Sequence, residues 1–468
     1  MMKRFTLSAT PLALAMVLSG CMSLAPHYER PAAPVAAVFP DTAPSGASAT
    51  SNVAATQIAW QQYFNDARLN QLIDLSLANN RDLRVAILNI EQARAAYQIR
   101  RADLLPTVSL AATGSRTPGP NDSIASAYQV GLGVSAFELD LFGRVRNLSS
   151  AALAQFLATE EARKSTQISL ISSVANAYLA LLADDELLEL TRQTLAAREE
   201  SLRLIQLKYD NGVVSKLDLQ QGVSLVETAR VVLAQQLRQR AQDANLLVLL
   251  VGQPLPDTLP AARSLAQTEL SDLPAGLPSD LLAVRPDIRA AEQQLIAANA
   301  NIGAARANFF PRISLTATAG TASNELAGLF KGGSFGWTFA PQAILPIFDY
   351  GRNTANLGSA RAGRDIAVAQ YERTIQVAFR EVSDNLAGQA TFAEQLRAQR
   401  QVAVAEADRF RLSDLRYRSG AASYLELLDA QRALFDAQRA AIQANLLRLQ
   451  NQVTLYRVLG GGWTVARG

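Results

Sequence analysis

Arg101-Ala-Asp-Leu-Leu-Pro106-Thr-Val-Ser-Leu110 returns 205 residues later as Arg306-Ala-Asn-Phe-Phe-Pro311-Arg-Ile-Ser-Leu315. In each copy a helical run ends at proline, which cannot continue a helix, and an alternating strand-like run begins. A second pair of stretches follows in the same order. Leu207-Lys-Tyr209-Asp210-Asn-Gly212-Val-Val-Ser215-Lys-Leu217-Asp218-Leu219 is answered, at an offset of 208, by Leu415-Arg416-Tyr417-Arg418-Ser-Gly420-Ala-Ala-Ser423-Tyr-Leu425-Glu426-Leu427. Both ends of the unit recur in order, which marks an internal duplication and not a chance motif.

The strand-like runs have a membrane character. Val108, Leu110 and Ala112 alternate with polar or small residues, as do Tyr128, Val130, Leu132 and Val134 beyond the Pro118-Gly-Pro-Asn-Asp122 loop. The second copy has Ile313, Leu315, Ala317 and Ala319, a Gly-rich loop, and then Trp337 and Phe339. The pattern predicts hairpins over 107–141 and 312–348, with strands of about 9–11 residues, the length a tilted membrane strand requires. Aromatic residues such as Phe137, Phe142, Phe309, Phe310, Trp337 and Phe348 gather near the strand ends, as in interfacial girdles. The competing reading is the edge of a small soluble β-sandwich. Four strands cannot close a barrel, because open edges leave backbone groups unsatisfied in lipid and the smallest single-chain barrels use about eight. Three chains would supply twelve strands with room for a pore; two would give a barrel filled by its own side chains. The expected class is an α+β membrane protein with four strands per protomer, a trimer being favoured.

Helical runs occupy most of the rest. Between Gly143 and Gly212 there is neither glycine nor proline, so a continuous helix there would approach about 100 Å. A similar run extends from Ala421 to Leu459, while the second-copy partner of the long run carries Gly358, Gly363 and Gly388. Leu69 to Asp103 reads as one uninterrupted helix ended by Pro106. The apolar positions are not confined to one seam, which fits a wall of helices better than a coiled-coil rod. After the N-terminal segment, no apolar run reads as long enough to cross a bilayer as a helix.

Lys3 and Arg4 precede a short apolar stretch from Pro11 to Leu18, the pattern of a secretory signal over 1–20. It ends in Leu18-Ser-Gly-Cys21, which resembles a bacterial lipobox and makes Cys21 the expected lipidation site. The absence of aspartate after the cysteine favours the outer membrane. Residues 21–60 then read as a lipidated tether, 61–253 as the first repeat, 254–278 as a Pro-rich linker, 279–460 as the second repeat and 461–468 as a tail. Cys21 is the only cysteine and His27 the only histidine, so disulfides and histidine-based metal or acid–base sites are not expected. A net charge of +3 without a basic stripe gives no nucleic-acid surface. No phosphate-binding loop or nucleophile–base set is recognisable, so no enzyme and no cofactor beyond the lipid are expected.

Several motifs are more specific. Phe137-Glu-Leu-Asp140-Leu-Phe-Gly143-Arg144-Val-Arg146, Gly276-Leu-Pro278-Ser-Asp-Leu-Leu282, Arg285-Pro-Asp287-Ile-Arg289-Ala-Ala-Glu292, Ala300-Asn-Ile-Gly303-Ala-Ala-Arg306, Leu427-Leu-Asp429-Ala-Gln431-Arg432 and Leu459-Gly-Gly-Gly-Trp463 together resemble the TolC/OprM family of outer-membrane efflux channels, in its lipidated drug-efflux branch. The resemblance covers nearly the whole mature chain. It implies a homotrimer, with a twelve-stranded transmembrane barrel continuous with a long periplasmic helical barrel and an equatorial belt. It also implies the exit duct of a tripartite multidrug pump, with a periplasmic adaptor and an inner-membrane transporter of the resistance-nodulation-division class as partners. The alternatives are a protein-secretion duct with an ATP-driven partner and a lipid-anchored periplasmic adaptor or scaffold. An adaptor would flank one helical hairpin with a split β-domain, whereas here strands sit between helices in both copies.

In this family the periplasmic end constricts to a gate, and Leu425, Glu426 and Asp429 match the constricting segment. Spacings of three and four put them on one helical face, so threefold symmetry would make each a ring. Six carboxylates near one axis would attract cations and raise one another's pKa values. Two readings stay open for Glu426, because Ser423-Tyr-Leu-Glu426 is also a capping box; Leu425 could equally be interhelical packing. Asp429 lies beyond capping reach. Arg416, Tyr417 and Arg418 could latch the turn to Asp210 or Asp218, or form a solvated basic turn. Where the archetypal channel carries an arginine two residues after the turn glycine, this chain has Ala422, so any latch must be wired differently.

Overall fold

A computed structural model describes residues 23–39, 58–118, 124–270, 273 and 282–463. The signal segment, Cys21, most of Gly276-Leu-Pro278-Ser-Asp-Leu-Leu282 and residues 464–468 lie outside the described residues. The chain forms two compact units. One comprises the described parts of Met1–Ala33, Leu88–Glu161 and Arg289–Thr374; the other comprises those of Pro34–Ile87, Ala162–Ile288 and Ile375–Gly468. Each unit draws on both sequence repeats.

The helices are α1 (Trp60–Tyr63), α2 (Ala67–Asn79), α3 (Arg81–Ala102), α4 (Arg144–Asp210), α5 (Lys216–Val251), α6 (Pro286–Ala307), α7 (Arg352–Arg418) and α8 (Tyr424–Val458). Both α4 and α7 are unbroken over 67 residues, so Gly358, Gly363 and Gly388 do not interrupt α7. The helix expected over 69–103 divides at Asn80, whose extended backbone ends α2. The Asn80 side chain then accepts from Leu83 N at 3.0 Å and donates to Leu250 O at 2.9 Å. A side chain that caps the next helix and ties it to a neighbour favours a break that periodicity does not reveal. One expectation needs correction: α4 contains an 18-residue window with a mean hydropathy of 1.3, apolar enough to cross a membrane, and 67% of that window is buried inside the protein. It is core, which is how an apolar helix satisfies its surface in a large helical protein.

In the first unit, β1 (Val108–Pro118), β2 (Ile124–Leu139), β3 (Arg312–Ser323) and β4 (Phe335–Ile344) form one antiparallel sheet in that order. The register makes Val108, Val134, Ala317 and Phe339 one row across all four strands, and Leu110, Leu132, Ala319 and Trp337 the next. Directly opposed residues share a face, so this face is apolar. The intervening rows, Ser109–Gly133–Thr318–Thr338 and Ala111–Gly131–Gly320–Gly336, are small or polar. Gly131 and Gly320 meet so closely that a Cβ on Gly320 would lie 2.3 Å from Val130 O. A bulge between Val134 and Phe137 inserts one residue into β2, with Ala136 at φ 51 and its N–H donating to Thr316 Oγ1 at 3.2 Å. Among the described residues, β1 and β4 each pair on one side only.

The strand-to-helix junction explains one motif. Glu138 accepts from Arg144 Nε and Nη2 at 2.7 and 2.6 Å and from Arg312 Nη2 at 2.7 Å. Asp140 accepts from the backbone N–H of Val145 and Arg146, capping α4. The tether is docked on α6 in the same unit: Arg30 forks onto Glu292 at 2.7 and 2.9 Å, Tyr28 donates to Glu292 at 3.0 Å, and Asn299 and Arg306 donate to the carbonyls of Pro26 and Leu24. Gly303 admits this approach, since a Cβ there would lie 2.6 Å from Ala25 N.

The second unit packs Trp60, Tyr63, Phe64, Leu72 and Ile73 as fully buried core. Tyr63 stacks on Tyr456 at 4.3 Å and donates to Gln452 O. Arg285 of the Arg-Pro-Asp motif donates to Asp287, Glu381 and the Val458 carbonyl, so the buried cation is fully engaged. The described part of the 254–278 linker includes one short turn at Leu265–Gln267, with Leu265 O accepting from Asn445.

Candidate gate at the interhelical turns

Two turns, α4–α5 and α7–α8, end the long helical pairs. In each a glycine takes a left-handed conformation, Gly212 at φ 72 and Gly420 at φ 77, where other residues pay a steric penalty. Each helix closes the same way, with Val213 N donating to Lys208 O and Ala421 N donating to Arg416 O, satisfying carbonyls left free at a helix end. Beneath the turns Ile205, Leu219, Leu225, Tyr424, Leu427 and Leu428 form one buried cluster.

The caps differ between the copies. Ser215 and Asp218 complete a reciprocal capping box. In the second copy Ser423 Oγ accepts from Glu426 N at 3.3 Å, but the Glu426 carboxylate reaches Arg416 Nη1 at 3.3 Å instead of closing the box. Leu425 is 56% exposed while its neighbours Leu427 and Leu428 are buried, so it does not serve interhelical packing within the chain. Asp429 pairs with Arg409 of α7, which also holds Glu406 at 3.1 Å.

The suggested latch residues find partners other than those expected. Arg418 pairs with Asp414 at 2.8 Å, Asp210 accepts from Gln206 at 2.8 Å, and Asp218 is taken up by its own cap. Tyr417 links the two turns by another route: Lys208 donates to its hydroxyl at 3.3 Å and lies 4.5 Å from its ring centroid. The wiring to Asp210 or Asp218 is therefore corrected, because helix-local partners, four residues away or at the N-cap, are nearer. Arg409 and Lys208 were not singled out in the sequence. Arg409 could have been found by counting, since it stands eleven residues before Gly420 and Asp429 nine after, nearly level across a helical hairpin.

A sheet with one apolar face, joined to helices far longer than a globular core needs, fits a membrane conduit. Comparison with known proteins agrees. Residues 72–253 and 277–461 match the family model described as outer membrane efflux protein. The chain is 50% identical over 456 residues to the probable efflux pump outer membrane protein TtgC of Pseudomonas putida, covering 96% of this chain and 94% of that protein. It is 46% identical to the outer membrane protein OprJ of Pseudomonas aeruginosa, over 100% of this chain and 98% of that one. Among solved structures, the open state of the Neisseria gonorrhoeae MtrE outer membrane channel aligns with a TM-score of 0.87 and 41% identity, covering 94% and 99% of the two chains. The chain belongs to the outer membrane efflux protein family. It is located in the outer membrane and acts as the exit duct of an efflux pump.

Proposed function

We propose that three copies of this chain close into a twelve-stranded barrel that continues into a helical tunnel, and that the duct passes small molecules passively. The two-faced sheet with its open edges β1 and β4 carries this reading. The apolar rows suit lipid, the Ser, Thr and Gly rows suit a watery lumen, and unpaired edges in a bilayer must be joined. Three protomers also give the helical wall its neighbours on both sides. Energy comes from a partner. The natural assembly is with a periplasmic adaptor and an inner-membrane resistance-nodulation-division transporter, and a lipid on Cys21 anchors the docked tether.

The gate in this reading is the α7–α8 turn. Leu425, exposed within one chain, meets its two copies at the axis, with Glu426 and Asp429 as carboxylate rings above it. Arg416 and Arg409 hold those acids against their own hairpin, so opening requires the hairpin to move outward with its pairs intact or to break them. Lys208 and Tyr417 couple the neighbouring turn to that movement. Planar-bilayer conductance of the purified protein and of Glu426→Ala/Asp429→Ala tests both pore and gate. A small wild-type current that rises strongly in the double variant, with weaker cation preference, is expected; equal currents would place the gate elsewhere, and no current after verified insertion would overturn the conduit.

A further inference from the structure

Arg198 of α4 is 4% exposed. Its guanidinium is charged at any working pH, and burying a charge is costly unless it is paired. Yet no carboxylate among the described residues forms an ion pair with it. Its Nη1 donates to Leu225 O at a long 3.3 Å, its guanidinium lies 5.3 Å from the centroid of the Phe435 ring, and its buried Nε has no partner among the described residues. Asp436 acts on it favourably from α8, but that carboxylate is directed to Arg439 at 3.9 Å, and Arg432 faces Arg198 with like charge. Burial and Arg432 together hold the Arg198 pKa below its ordinary value.

The unpaired guanidinium lines a cavity of about 90 Å³ framed by α4, α7 and α8. Its walls combine Phe410, Leu434 and Phe435 with Thr194 and Gln431. Gln431 lines the same space, and its buried Oε1 has no partner among the described residues. The result is a strong cationic fork, a neighbouring carboxamide and an apolar rim, in a space large enough for a few waters or one small anion. A planar two-oxygen anion matches the guanidinium geometry, and the aromatic walls favour one that carries a short apolar group. The recess is too small for a polypeptide backbone to follow.

We propose that this cavity is a binding site for a small organic carboxylate, held by Arg198 and flanked by Phe410 and Phe435. Binding would pair the buried charge and fasten α4 to α8 behind the candidate gate. The test is ¹⁹F NMR of trifluoroacetate with the full-length protein in detergent, comparing wild type with Arg198→Gln. Saturable binding that weakens by about tenfold or more in Arg198→Gln is expected, the scale of one charge-assisted bond.

A second variant guards against misfolding of the first. Thr194→Glu places a carboxylate four residues N-terminal to Arg198, the favourable helical spacing, and should raise the melting temperature while abolishing trifluoroacetate binding. Equal binding by wild type and Arg198→Gln, or retained binding in folded Thr194→Glu, would overturn the site. Tighter binding by a glutamate-bearing helical peptide that displaces trifluoroacetate would overturn the assignment to a free acid.

Discussion

Arg409 on α7 reaches across the hairpin to Asp429 on α8, so the acid on the candidate gate face is held by its own chain. Both side chains are substantially exposed, at 45% and 62%, and such pairs add little to stability. The pair's consequence is positional. Arg409→Ala should leave the melting temperature unchanged and raise single-channel conductance, with an effect that shrinks at high salt. Unchanged conductance across ionic strengths would separate the pair from gating.

The docked tether makes a second prediction. Glu292, with its side chain 11% exposed, receives Arg30 as a fork and the Tyr28 hydroxyl. Charge-assisted bonds of this kind contribute about 1.5–3 kcal/mol. Glu292→Gln should release the segment and make the Tyr28–Glu29 peptide bond sensitive to chymotrypsin under conditions where wild type resists. Equal digestion rates would show that Asn299 and Arg306 hold the tether without it.

Asp184 of α4 predicts a pH dependence. It is 5% exposed, and burial, then its contact with Asp243, with a further contribution from Asp185, pushes its carboxyl up to about 7, while Gln236 opposes the shift. The folded protein therefore binds a proton here that the unfolded chain, titrating near 3.8, has lost. Stability from this group is present below about pH 4 and falls as pH rises to about 7. Asp184→Asn should flatten thermal stability over that interval and raise the melting temperature at pH 8; parallel wild-type and variant profiles would remove Asp184 from the account.

Gly320 tests the sheet. A methyl group there would lie 2.3 Å from Val130 O and 2.4 Å from Gly131 Cα, both backbone atoms that cannot step aside. Gly320→Ala should part β2 from β3 and reduce the heat-stable membrane-inserted species seen by gel mobility. Gly133→Ala, on the interior strand β2 with only ordinary contacts at 3.4 and 3.6 Å for its Cβ, is the control and should behave as wild type.

The duplication, both hairpins and the long helices were legible in the chain, because proline, left-handed glycine and strict alternation act locally. Val108, Leu110 and Trp337 announce their face by spacing alone, and Ser215 with Asp218 announces a cap. Asn80 was silent: its break depends on the Leu250 carbonyl, 170 residues away. The partners of the candidate gate segment were not legible. Arg409, Lys208 and Arg198 look like any other cation on a long helix until neighbouring helices fix which surface each one meets.

The sequence by itself thus determined the hairpins and the long helices, since backbone preference and hydrophobic period are properties of short stretches, and its motifs carried the resemblance that implied the class. Only the tertiary structure decided that Asp429 meets Arg409, that Glu426 meets Arg416 rather than closing its cap, and that Arg198 is buried beside a cavity. Ion pairing and burial depend on distances across helices far apart in the chain, and those distances are set by packing.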